Sequence, residues 1–200
     1  MPPLLKETGK KPAKYLWGCG GLMAVFLVGG LLMLAYWLSP GHLVTMLNDG
    51  NPAKKRWAAD TLIGKGAGAG ATVLDAAADP SLDPELRRMA VFILGEMHYT
   101  AAEPRLIALM KGGDAVLGGQ AAFALGRMGD DAALPELLGA YDGAPKGLKL
   151  RILAALGELG NMGGAELLKK EAARADDGLI QDTAHQAVLK MKEKHPDCCG

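Results

Sequence analysis

Arg87-Arg88-Met89-Ala90-Val91-Phe92-Ile93-Leu94-Gly95-Glu96-Met97 decides how this chain folds, because its frame returns along the sequence. The glycine recurs at Gly64, Gly95, Gly126 and Gly157, each step 31 residues, within Leu62-Ile63-Gly64, Ile93-Leu94-Gly95, Ala124-Leu125-Gly126 and Ala155-Leu156-Gly157. A period of that length over most of a chain signals stacked helix pairs rather than one closed globule. Five positions before each glycine stand Ala59, Ala90, Ala121 and Ile152, and a fifth copy, one residue longer, sets Ala184 before Leu189. Eight positions before stand Arg56, Arg87, Gly118 and Lys149.

Apolar residues within each frame recur at helical spacing, as in Ala121, Ala124, Leu125 and Met128. A second helix is expected after each glycine-bearing one, over Ala71–Asp79, Ala101–Lys111, Ala133–Asp142 and Gly164–Arg174. Asn51-Pro52 and Asp83-Pro84 each place a capping side chain before a proline suited to a first helical turn. Asp114, and Asp176 or Asp177, are expected to cap later helices, while Gly66, Gly129 and Gly160 stand where a left-handed residue ends one. Glycine inside a helix costs about 1 kcal/mol relative to alanine. Its periodic return therefore implies a gain, the close approach of a neighbouring backbone, with the alanine five positions earlier serving the same contact.

The composition agrees with helices. Aromatic residues make up 5% of the chain and glycine alone contributes 28 residues. Basic and acidic residues balance at 22 each, but residues 41–200 hold 18 basic and 21 acidic residues, a net of −3. That sign argues against a phosphate-binding track, so no nucleic-acid partner is expected.

The N-terminal part reads differently. No charge occurs between Lys14 and Asp49, and Leu16 to Leu38 is continuously apolar. As a helix that stretch would run roughly 34 Å, enough for a hydrocarbon core of about 30 Å. Tyr15 and Trp17 mark one end, Tyr36 and Trp37 the other, and Ser39-Pro40-Gly41 stops the helix. The expected organisation is a basic segment over 1–14, a transmembrane helix over 15–38, repeats over 41–193 and a tail over 194–200. Lys6, Lys10, Lys11 and Lys14 place the N-terminus in the cytoplasm and the repeats outside a bacterial cytoplasmic membrane. Gly20 and Ala24 form a small-xxx-small pair through which two anchors could dimerise weakly.

The pattern Arg-x-x-Ala-x-x-x-Leu-Gly-x-[Leu/Met] followed by Ala-x-Pro-x-Leu, carried best by Arg87 to Lys111 and Gly118 to Asp142, resembles HEAT repeats of the short, phycobilisome-lyase-like kind. The resemblance covers about residues 42–193. It implies an all-α, right-handed α-solenoid of about four and a half repeats, whose second helices line a concave, protein-binding side. His42 to Leu47 resembles a second helix whose own first helix is missing.

Chemistry is harder to find. HEAT-like hydroxylases hold iron with His-Glu pairs, whereas His42, His98, His185 and His195 precede Leu, Tyr, Gln and Pro here. No histidine and acid are arranged around a serine or cysteine nucleophile, and Cys198 and Cys199 read as a loose end. The expectation is a scaffold with no catalytic, cofactor or metal residues, binding a protein or peptide partner through Glu103, Arg105, Glu136, Tyr141, Lys169 and Lys170. Arg56, Arg87 and Lys149 are expected to form an inter-repeat ladder with acidic neighbours. The alternative is an accessory or modifying enzyme of the bilin-lyase-like kind.

Overall fold

The computed structural model describes residues 14–174 and 176–196, with side chains from Phe26 onward. Cys198 and Cys199, and the basic segment up to Ala13, lie outside the described residues. Of Tyr15, Trp17, Cys19, Gly20 and Ala24 only the helical backbone is described. Two units are distinguished, Met1–Ser39 and Pro40–Gly200.

The first unit contains α1, Lys14–Trp37. Among the described residues no single helix is long and apolar enough to cross a membrane. Phe26–Trp37 meets that requirement only together with Pro40–Met46.

The second unit alternates short and long helices. The short ones are α2 (Pro40–Met46), α4 (Ala67–Ala78), α6 (Glu103–Lys111), α8 (Leu134–Tyr141) and α10 (Ala165–Ala172). The long ones are α3 (Pro52–Lys65), α5 (Pro84–Glu96), α7 (Ala115–Met128), α9 (Lys146–Leu159) and α11 (Gly178–Lys194). Each short helix packs mainly on the long helix that follows it. The natural unit is therefore short-then-long, which removes the half repeat expected at the start: α2 packs on α3 and α4 and is the first half of a complete pair. The helix expected over Ala71–Asp79 begins earlier, because Gly66 ends α3 and starts α4 with a φ of 54°.

Capping follows side-chain chemistry. Asn51, Asp83, Asp114 and Asp177 each accept backbone N–H groups at the start of a long helix, satisfying donors that have no partner within the helix. Gly129 and Gly160 end α7 and α9 in the left-handed region. The matching position after α5 is His98, also at positive φ (51°), where a side chain is tolerated at a conformational cost.

The long helices α5, α7, α9 and α11 form one continuous layer. A Cβ on Gly95 would lie 2.9 Å from the Cα of Ala124, one on Gly126 2.3 Å from the carbonyl oxygen of Ala155, and one on Gly157 2.7 Å from the Cα of Ala187. These glycines admit the neighbouring backbone, as the period implies. The alanine they meet stands two positions before the next frame position (Gly126, Gly157 or Leu189), not five; the alanines five positions earlier, Ala90, Ala121 and Ala184, are instead fully buried core. Gly64 departs from the pattern: nothing lies within 4 Å of its added Cβ, and it is exposed. The matching position on α5 is Ile93, where the later helices have Ala124, Ala155 and Ala187.

Candidate docking face

The long-helix layer has a buried side, carrying Leu94, Leu125, Ile152 and Leu156, and an exposed side where function must be sought. The exposed side carries an ion ladder at the position after the frame glycines of α5, α7 and α9 and at the matching position on α11. Arg127 donates to Glu96 at 2.6 Å and its other terminal nitrogen is 3.7 Å from Glu158; Lys190 meets Glu158 at 2.6 Å. Lys194 donates to the Glu158 carbonyl. Hydrogen bonding to Glu96 is the main cause holding the Arg127 guanidinium above its ordinary pKa.

Arg56, Arg87 and Lys149 do not make this ladder. Arg87 and Lys149 stand beside the C-termini of α4 and α8, while Arg56 lies beside Trp57 and Asp60 on α3. Arg87 Nε donates to the Ala77 carbonyl at 3.3 Å, and Gln181, its counterpart on α11, donates to the Ala172 carbonyl at 3.1 Å. Both satisfy last-turn carbonyls that a helix cannot bond internally. Gly118 occupies the same frame on α7, where a Cβ would meet the Met110 carbonyl at 2.9 Å. Lys149 lies over the Tyr141 ring, 5.3 Å from its centre.

The residues expected to bind a partner are dispersed over the short helices. Arg105, Lys169 and Lys170 are exposed. Glu103 is half-buried, and its carboxyl is held above the usual range by burial and then by Asp130. Glu136 is engaged by Lys111. Tyr141 contradicts the expectation: it is 3% exposed, because it closes the core at the end of α8. Beside it Glu171 is buried and accepts from Arg174 Nη1 at 3.3 Å. Burial, then the charge of Glu171, pushes the Tyr141 phenol well above its ordinary pKa. A phenol whose folded pKa is raised supports the fold below its unfolded value near 10, and that support is lost as pH rises through the folded value. Alkaline titration followed at 295 nm should therefore show one tyrosine ionising only with unfolding, a lag that Tyr141→Phe removes.

A groove of about 540 Å3 crosses the exposed sides of α5, α7 and α9. Its walls are apolar and basic: Met89, Phe92 and Val116 alternate with Arg88 and Arg151, with Glu85 at one edge. Val116 is 60% exposed and Phe92 38%. Arg88 pairs with Glu85 one turn earlier on α5. Gly119 makes room for Arg151, since a Cβ there would stand 2.9 Å from the arginine Cγ. Periodicity marks only part of this groove: Arg88 and Gly119 both stand seven positions before their frame glycines, whereas Arg151 on α9 stands six before its own. Trp57, 46% exposed on α3, continues the row of Arg88 and Gly119. Among the described residues no group of three or more His, Cys, Asp or Glu side chains is placed to hold a metal ion.

Residues 70–157 match the family model for HEAT repeats. No curated protein matches the chain. Among solved structures the chain is similar to one titled as the complex of CpcE and CpcF of phycocyanin lyase from Nostoc sp. PCC7120. The TM-score is 0.58 at 22% identity, over 78% of this chain and 65% of the other. The chain thus spans less than two thirds of that neighbour's length. At that identity the likeness shows the fold alone: an all-α array of HEAT-type helix pairs.

Proposed function

We propose that this chain is a HEAT-repeat scaffold, held at a bilayer by its N-terminal apolar segment, that binds a protein partner and has no catalytic activity of its own. The observation that carries the reading is the division of labour across the long helices. The ladder side chains are engaged with one another, whereas Phe92, Val116 and Arg151 remain exposed around one groove. Exposed apolar side chains beside arginine are the composition of protein interfaces. The partner surface is thereby moved from the short helices to the long ones.

The bilayer part rests on composition and exposure. Phe26, Leu27, Leu31, Leu32 and Met33 are all at least 63% exposed, an apolar surface that water disfavours and lipid accepts. The four N-terminal lysines put the short N-terminus in the cytoplasm and the repeats on the outer face of a bacterial cytoplasmic membrane. Weak pairing of two anchors through Gly20 and Ala24 belongs to the same proposal. The chain should resist carbonate extraction, and a periplasm-only reporter fused after Gly200 should be active. Release by carbonate would remove the anchor, and a silent reporter with an active cytoplasmic one would reverse the orientation.

The likeness to a lyase complex favours one second reading, a modifying role on a bilin-bearing protein. The purified chain incubated with a free bilin should show no shifted visible band if it is a scaffold. A stoichiometric shifted band would favour the lyase-like reading instead.

A further inference from the structure

We infer that the groove over α5, α7 and α9 takes an acidic segment of a partner protein in which a carboxylate stands beside an apolar side chain. This rests on the scaffold reading and names the chemistry of its partner. Charge comes first. The groove carries two arginines and one carboxylate, Glu85, in a repeat region whose net charge is −3. Glu85 is engaged by Arg88. Arg151 has no carboxylate partner among the described residues, although Arg127 and Lys190 of the neighbouring ladder each have one.

Space and shape add to charge. Gly119 lets the Arg151 stem lie against α7, so the guanidinium is set on the groove rather than buried under a side chain. Guanidinium geometry suits a carboxylate, which it can bind through two parallel N–H groups. Phe92 and Val116 offer apolar surface alongside, and Gln120 adds an amide able to pair with a partner's backbone. A basic or purely apolar segment would leave Arg151 desolvated without a counter-charge, which disfavours it.

Gly147 supplies a clean control. It lines the groove wall within α9, nothing lies within 4 Å of an added Cβ, and its φ is ordinary. Gly147→Leu therefore occupies the groove while favouring the helix.

The test uses the full chain in intact cells. A photoreactive benzoylphenylalanine is placed at Phe92 or, separately, at Arg105 on the short-helix side, and crosslinked segments are mapped by mass spectrometry. The expected result is a crosslink from position 92 to one protein, within a segment bearing Asp or Glu next to an apolar residue. Its yield should fall at least tenfold with Arg151→Glu and with Gly147→Leu, while circular dichroism of both variants stays unchanged. A captured segment without a carboxylate, a second copy of this chain, or insensitivity to Arg151→Glu would overturn the inference and leave the scaffold standing. Capture only from position 105 would do the same. No protein crosslink from either position would remove the scaffold reading itself.

Discussion

Gly126→Ala should destabilise the protein by about 3 kcal/mol, whereas Gly64→Ala, the same change in the same frame, should stabilise it by about 1 kcal/mol. The opposite signs follow from what a Cβ meets. At Gly126 it would stand 2.3, 2.6 and 2.8 Å from three backbone atoms of Ala155, and a helix backbone cannot swing aside as a side-chain tip does. Either α9 moves away from α7 or the geometry distorts, and both lose packing at the tightest contact of the layer. The helix-propensity gain of about 1 kcal/mol offsets only part of that loss. At Gly64 nothing lies within 4 Å, so the propensity gain stands alone. Urea unfolding of the two variants measures both values. Equal effects, of either sign, would mean that the periodic glycines do not serve a shared seam.

Glu158→Lys should cost about 2 kcal/mol and loosen α11 before the rest of the array. Glu158 is the hub of the ladder, its side chain 12% exposed, with Arg127 on one side and Lys190 on the other. Reversing its charge brings three cations together. The magnitude falls between that of exposed pairs, worth about 0–1 kcal/mol, and the 3–5 kcal/mol lost when a buried pair is broken, because Arg127 and Lys190 reach solvent. Adding Lys190→Glu should recover part of the loss, since the two positions are coupled and their effects should not add. Raising salt should narrow the gap between variant and parent by screening the exposed ends. Thermal melts of the single and double variants test this; additivity within about 0.3 kcal/mol would show that the ladder is not one network.

The helix pairs and their caps could be read directly, because capping chemistry is local: Asn51, Asp83 and Asp114 accept N–H groups two or three residues away. The seam was legible as a period but not as a contact, since which alanine faces which glycine depends on the offset between neighbouring helices. The ladder was readable too. Residues following the frame glycines run Lys65, Glu96, Arg127, Glu158, with Lys190 in the fifth copy, alternating in sign at every step. Tyr141 went astray because an aromatic residue at the end of a short amphipathic helix suits either core or surface. Its counterparts at the 31-residue spacing, Met110 and Ala172, are both buried, and that comparison points inward. The groove was least legible, since it belongs to three helices and its basic character depends on which arginines find partners.

A glycine seam binds α5, α7, α9 and α11 into one layer while α3 remains outside it, and the groove proposed for docking depends on that layer. Amide hydrogen exchange of the full chain, resolved by helix, tests this most directly. Backbone amides of α7 and α9 should exchange slowest, at a rate set by global unfolding, and those of α3 should exchange fastest among the long helices. Protection of α3 equal to that of α7, or α7 exchanging ahead of α3, would contradict it.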